Sequence, residues 1–148
     1  MSVSTAEGLL QALKSRLESE ISGIYVSDQI DVVTADPRGL ADQGTALLRI
    51  GDEILEDYPT RLEGKVRVLD TVEVQTAWKV DPRDQLTSRD QVLARARAIR
   101  IALTGVWGDV AGRRIRYLGS SGPTRHPASA EWLVVTQRYS FSRFAELG

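Results

Sequence analysis

The alternation of residues 65–80 is the feature that most constrains the fold of this chain. Most even positions carry a valine or a tryptophan, from Val66 to Val80, and most odd positions carry a charged or amide side chain, beginning with Lys65. Successive side chains of a strand point to opposite sides of a sheet, so the pattern predicts a long strand with one packed and one wet face. Asp70 interrupts the apolar series and indicates a bulge or a bend.

Three further segments are typical of strands. Residues 131–144 alternate in the same way, and their apolar side consists of Leu133, Val135, Tyr139 and Phe141. Residues 45–50 and 113–118 are shorter strand candidates. The acidic stretch at 53–64 is predicted as a loop.

Residues 4–22 predict an amphipathic helix. Ser4 and Glu7 have the spacing of a capping box, and Gly23 is suited to the left-handed conformation that ends a helix. The apolar stripe of this helix consists of Leu10, Leu13, Leu17, Ile21 and Ile24, with Leu9 beside it.

A second helix is predicted from Ser88, which has capping-box spacing with Gln91, to Gly105. Its inner stripe consists of Val92, Ala96, Ile99 and Leu103. Ile101 lies on the opposite side of the helical wheel and Leu93 on the flank, so a single buried face does not explain either residue.

The order helix, strand, strand, helix, strand, strand predicts an α+β domain, with an antiparallel sheet of about four strands and two helices on one face. The length of 148 residues fits one domain over 1–148. Turn-forming residues predict flexible loops near 34–45 and 119–130, and residues 25–45 hold at most one short strand, with Ile30, Val32 and Val33 as its candidates.

The composition argues against several classes of function. Nineteen basic against 20 acidic residues give a net charge of −1, which disfavours a dedicated nucleic-acid binder. The absence of cysteine excludes thiol nucleophiles and Cys-based zinc sites. No run approaches the roughly 18 apolar residues of a membrane span, and the N-terminus lacks the pattern of a secretory signal, so we expect a soluble, unexported protein without a membrane partner.

Catalytic chemistry has little support in the sequence. His126 is the only histidine, and we expect it to be exposed in a loop. A triad of His126 with Ser120 or Ser121 lacks the nucleophile-elbow pattern, and no phosphate-binding or dinucleotide motif is present. We therefore predict no catalytic, cofactor-binding or metal-binding residues and no cofactor, although a small α+β enzyme and a ligand- or partner-binding module stay open as alternatives.

Two groups of residues are candidates for contacts. The acidic cluster Asp52, Glu53, Glu56 and Asp57 is either a solvated loop or an acidic rim that repels DNA phosphates or faces a basic partner. The second group combines exposed apolar candidates with the arginines of the second helix: Ile101, Trp107, Arg95, Arg97 and Arg100.

The arrangement resembles a known family. An N-terminal amphipathic helix at 9–24, a strand pair ending in Val72-Glu73-Val74, a capped helix at 88–103 and a late strand at 132–139 follow one another. In length and order this resembles the tail-terminator, or minor tail, proteins of long-tailed bacteriophages. The resemblance covers nearly the whole chain and rests on architecture.

The resemblance implies a structural virion protein of the tail or neck that is assembled in the host cytoplasm. Such proteins form a ring, commonly a hexamer, that caps the tail tube protein, stops its polymerisation and offers a surface to the head-tail connector protein. DNA passes through the lumen without specific binding. The implied positions are the lumen or the tube-facing surface for the acidic cluster and subunit contacts for the second group. Another neck or head-tail connector protein is the alternative within the same class.

Overall fold

The computed structural model describes residues 6–27, 44–55, 65–104, 109–110 and 113–146. The helices are α1 (Ala6–Glu20) and α2 (Gln85–Thr104). The strands are β1 (Tyr25–Ser27), β2 (Thr45–Leu55), β3 (Lys65–Lys79), β4 (Asp109–Val110), β5 (Arg113–His126) and β6 (Ser129–Glu146).

The strands form a sheet in the order β1-β2-β3-β6-β5-β4. Its centre is the antiparallel pair of the two strands with the clearest alternation, and Lys65 to Lys79 of β3 pair with residues 146 to 132 of β6. All other neighbours are antiparallel except β1, which runs parallel to β2. The α+β class is confirmed. The sheet has more strands than the four expected, because β1 and β4 are too short to show an alternation.

Both helices pack on one face of the sheet, as the sequence predicts. The core contains Leu9, Leu13 and Leu17 of α1, the inner stripe of α2, and the apolar residues of the central strands, including Val72, Val74, Trp78, Val135, Tyr139 and Phe141. The opposite face is partly polar, and Arg138 pairs there with Glu73 at 3.6 Å. One end of that face holds a small apolar cluster of Leu47, Ala77, Trp132 and Val134.

The helix ends differ in how well they were predicted. Gly23 ends the first helical segment with a φ of +79°, as expected. The second helix begins at Gln85, three residues earlier than predicted, because the carboxylate of Asp84 accepts the N–H of Thr87 at 3.3 Å. The hydroxyl of Ser88 instead donates to the carbonyl of Asp81 at 3.1 Å. The Ser88–Gln91 capping box is therefore wrong.

Bulges account for the two stretches that were predicted as loops and are strand, residues 53–55 and 119–126. The register of β2 shifts between Ile50 and Glu53, which lets the strand continue to Leu55 instead of ending at residue 50. The bulge lies in β2 opposite Thr71 and not at Asp70, which is in register with Glu53. Residues 119–126 belong to β5, because glycines with positive φ at Gly119 and Gly122 accompany its register shifts. Gly122 has no room for a side chain, since a Cβ there would lie 2.6 Å from a backbone oxygen of β6.

Several predictions lie outside the described residues. These are the cap at Ser4, the strand candidates at 30–33, the loop at 34–43 and the helix end at Gly105.

Candidate subunit-contact surface

Three large apolar side chains are exposed on the outer face of α2. Leu86 is 81% exposed, Leu93 is 43% exposed and Ile101 is 55% exposed. At about 100° per residue they lie within about 80° of one another. Ile101 faces away from the core, whereas Leu93 lies on the flank of the helix that borders β5. We refer to Leu86, Leu93 and Ile101 as the outer apolar face. Exposed apolar side chains grouped in this way are typical of protein contact sites.

Three of the four arginines of α2, Arg95, Arg97 and Arg100, lie on different sides of the helix. Arg97 is exposed beside the outer apolar face. The guanidinium of Arg100 lies over the ring of Tyr117, 5.4 Å from its centroid, and that of Arg95 lies over Trp78 at 5.2 Å. Arg95 and Arg100 thus already have aromatic partners in their own chain, each of which stabilises a guanidinium by cation–π attraction. Arg97 is the arginine most directed toward solvent beside the apolar group.

A groove of about 440 Å³ separates α2 from strands β5 and β6. Leu93, Arg97 and Arg100 line its helix side, and Tyr117 and Ser120 line its strand side. The groove therefore combines apolar and aromatic surface with two guanidinium groups. This is the mixture of groups that is enriched in protein–protein interfaces. We refer to it as the α2 groove.

Gln137 lies at the inner wall of the α2 groove and is only 3% exposed. Its Nε2 donates to the carbonyl oxygen of Ala96 at 2.8 Å, whereas its Oε1 has no hydrogen-bond partner among the described residues. A buried acceptor without a donor costs free energy, so an N–H or O–H group entering the groove would be stabilised there. Sequence reasoning missed Gln137, although an amide among the apolar side chains of β6 was the available signal.

Tyr139 lies beneath the same edge of α2 and is fully buried. Its hydroxyl has no hydrogen-bond partner within the part of the chain that the structure describes. Burial, and secondarily the neighbouring Tyr117, raises the pKa of the Tyr139 phenol well above its ordinary value, and the positive charge of Arg100 opposes the shift. The phenol is thus neutral throughout the physiological range and is not a candidate base.

A second cavity of about 210 Å³ lies between the start of α2 and the β5–β6 hairpin. The Ser88 hydroxyl in its wall is already engaged, because it donates to the carbonyl of Asp81 and accepts from the N–H of Asp81. Hydrogen bonds from the backbone and side chain of Arg83 lower the pKa of the Asp81 carboxyl. These partners are those of a structural turn.

The structure corrects the expectation for His126. This residue is 3% exposed and not an exposed loop residue, because the hairpin continues to a two-residue turn at Pro127 and Ala128. Its Nδ1 accepts the N–H of Ala128 at 3.0 Å. Ser121 lies five residues away along an extended strand, roughly 15 Å, and its hydroxyl accepts from Arg138 at 3.2 Å. Ser120 is one residue farther along, so neither serine lies near the imidazole.

The acidic cluster is described only in part. Asp52 and Glu53 belong to β2 at its bulge, where Glu53 pairs with Asp70. Glu56 and Asp57 lie outside the described residues, and so does Trp107 of the contact group. The predicted roles of these residues stay predictions.

The described ranges contain no group of three or more His, Cys, Asp or Glu side chains arranged to hold a metal ion. No helix among them is long and apolar enough to cross a membrane. Comparison with known proteins adds no relative, since no protein-family model and no curated protein matches the chain.

Proposed function

We propose that this chain is a structural virion protein of the tail-terminator type. It forms a ring, a hexamer by the family resemblance, on the end of the tail tube protein. The ring stops polymerisation of the tube and offers an attachment surface to the head-tail connector protein. The observation that carries the proposal is the outer apolar face of α2, because Leu86, Leu93 and Ile101 are exposed beside Arg97.

The α2 groove supports a contact role for the same side of the molecule. An interface core commonly combines apolar and aromatic side chains with arginine, and the groove supplies Tyr117, Leu93 and two guanidinium groups. A ring requires each copy to present two different patches, one for each neighbour. The surface formed by α2 and β5 is the first of these patches.

The charge of the chain is compatible with a lumen through which DNA passes. A net charge of −1 gives little general attraction for phosphates, and the acidic cluster at Asp52–Asp57 disfavours DNA adhesion wherever it faces the duplex. The proposal assigns that cluster to the lumen or to the tube-facing side. It assigns the protein to the tail or neck of the virion, with assembly in the host cytoplasm.

The test is electron microscopy of the purified protein mixed with tail tubes. We expect a ring at one end of each tube and no further growth when tube subunits are added. The variant with Leu93→Ser and Ile101→Ser is expected to leave tube ends bare. Gln11→Ser on the exposed side of α1 is the matched control and is expected to cap tubes normally.

Two results would contradict the proposal. If the double variant capped tubes as the unaltered protein does, the outer apolar face would not be a contact surface. If the protein decorated tailless heads and not tubes, it would be a head-tail connector protein, the alternative within the same class.

A further inference from the structure

The buried amide of Gln137 determines which kind of group the α2 groove accepts at its inner wall. Gln137 lines the groove and is 3% exposed. The amide nitrogen is the atom that lies at the carbonyl oxygen of Ala96, because an N–H donates and a carbonyl oxygen accepts. The other amide atom, Oε1, has no donor among the described residues. An occupant that satisfies this oxygen therefore brings an N–H or O–H group.

The helix side of the groove carries an excess of positive charge. Arg97 and Arg100 are about one turn apart on α2, and both line the groove. Neither guanidinium has a carboxylate partner in the part of the chain that the structure describes. Asp90 also lines the groove, but it lies about two turns from Arg97, roughly 10 Å along the helix axis. An anionic group is therefore favoured near the two arginines, because guanidinium–carboxylate hydrogen bonds are strong.

The groove also offers apolar contact area. Leu93 is 43% exposed on its helix side, and the ring of Tyr117 lies on its strand side. An apolar side chain that contacts both would remove apolar surface from water. The volume of about 440 Å³ is within the range of sites that hold small ligands or a few residues of a peptide.

These three properties together fit a peptide with an acidic residue. Such a residue supplies a carboxylate and a backbone N–H within a few ångströms of each other, and the residue beside it supplies an apolar side chain. The phosphodiester backbone of a nucleic acid supplies an anion but only acceptor oxygens, so it would leave Oε1 of Gln137 without a donor.

We propose that the α2 groove binds an acidic peptide segment of a partner protein. The carboxylate of the segment lies between the guanidinium groups of Arg97 and Arg100. A backbone N–H of the segment donates to Oε1 of Gln137, and an adjacent apolar side chain contacts Leu93 and Tyr117. The inference deepens the proposed contact role of this surface, and it rests on the proposed function only for the source of the segment, a neighbouring protein of the tail.

The experiment is an NMR titration of the isotope-labelled full chain with three capped peptides. The acidic probe is acetyl-leucyl-glutamyl-leucine dimethylamide, and the neutral probe has glutamine in place of the glutamate. The methylated probe is the acidic one with a methyl group on each backbone nitrogen, so it has no N–H to donate. We expect the neutral probe to bind at least about tenfold more weakly than the acidic probe and the methylated probe at least about threefold more weakly.

Two variants locate the binding groups. Arg97→Gln is expected to weaken binding of the acidic probe by about tenfold and to leave the neutral probe unaffected. Arg89→Gln is the matched control, because it makes the same change at an exposed position of α2 outside the groove. Gln137→Leu removes the buried acceptor, so the acidic and methylated probes are expected to bind this variant equally.

Each result supports or overturns the proposal. Preference for the acidic probe, with amide shifts centred on Leu93, Arg97 and Ser120, supports it. No binding of the acidic probe up to its solubility limit, equal binding of the neutral probe, or weakening by Arg89→Gln instead of Arg97→Gln overturns it. Tighter binding of oligothymidylate at the same amides would identify a nucleic-acid site and overturn it as well.

The titration is independent of tail tubes, so the two proposals fail separately. A protein that caps tubes but does not bind the acidic probe overturns this inference alone. A protein that binds the acidic probe in the groove but never caps tubes overturns the proposed function and leaves the peptide site standing.

Discussion

The two helices lie in one layer over the same core, yet their solvent sides differ. Among residues 8–20 of α1, whose burial the structure describes, the exposed positions are polar: Gln11, Ser15, Glu18, Ser19 and Glu20. Those of α2 include Leu86, Leu93 and Ile101. Packing within the chain explains the buried apolar residues on the inner faces of both helices. It does not explain the three exposed apolar residues of α2. Helix α1 therefore packs against the core through its apolar side only, whereas α2 has a second apolar side that is available for contacts.

The largest expected effect tests whether the inner faces are equivalent. Leu13 of α1 and Ile99 of α2 are both fully buried. We expect Leu13→Ala and Ile99→Ala each to lower the free energy of unfolding by about 2–5 kcal/mol, because each leaves a cavity in the core. Urea unfolding followed by circular dichroism measures both. A loss for one helix and none for the other would show that only one belongs to the core.

A smaller effect is expected at the junction of the two helices. The Nε of Arg16 in α1 donates to the carbonyl oxygen of Ala102 in α2 at 2.9 Å. Arg16→Met keeps most of the apolar stem and removes the charged donor, so we expect a loss of about 1–2 kcal/mol in unfolding free energy.

The control for that variant is Glu20→Gln. It removes only the exposed ion pair between Arg16 and Glu20, at 2.9 Å, and we expect it to cost less than about 0.5 kcal/mol. Equal losses for the two variants would mean that the bond to Ala102 does not stabilise the contact between the helices.

The hydroxyl of Tyr139 is buried beneath α2 and has no partner among the described residues. Tyr139→Phe removes a buried hydroxyl without a partner, so we expect unfolding free energy to stay equal or to rise by up to about 1 kcal/mol. The raised pKa keeps the folded phenol neutral while the unfolded one ionises near pH 10, so this residue contributes a loss of stability as pH rises above about 10. Unfolding curves from pH 8 to about 11 should show a smaller alkaline loss for the variant.

The smallest effect on stability is expected on the outer apolar face. Leu86→Ser, Leu93→Ser and Ile101→Ser should each change unfolding free energy by less than about 0.5 kcal/mol, because these side chains already contact water. The same variants should abolish capping of tail tubes. A stability loss as large as that of Ile99→Ala would place the outer face in the core of the folded chain and remove the contrast between the helices.

Local pattern predicted the parts of the fold in which one face of an element is buried over many residues. The alternation of β3 and β6 and the stripes of α1 and α2 are regular, and their buried positions agree with the structure except at the start of α1, where Leu9 and not Leu10 belongs to the core. The end of β2 and most of β5 were missed, because glycine and serine are typical of loops by composition. Pairing with a long neighbouring strand overrides that preference once bulges take up the extra residues.

The sequence pattern predicted only part of the candidate contact surface. Ile101 stood out because its position on the wheel contradicts the inner stripe, but Leu86 was overlooked because the start of α2 was placed three residues too late. Gln137 and Tyr117 join α2 in one groove only after β5 and β6 have paired. Contacts between residues 40 positions apart follow from strand order, which the periodicity of single segments does not contain.

The sequence alone determined which regular segments are helices and which are strands. It also determined which side of each segment is buried, because apolar periodicity is a property of a single segment. The strand order and the burial of His126 were set by the tertiary structure alone. Those properties depend on which distant strands pair, and pairing is chosen by the free energy of the whole packed sheet.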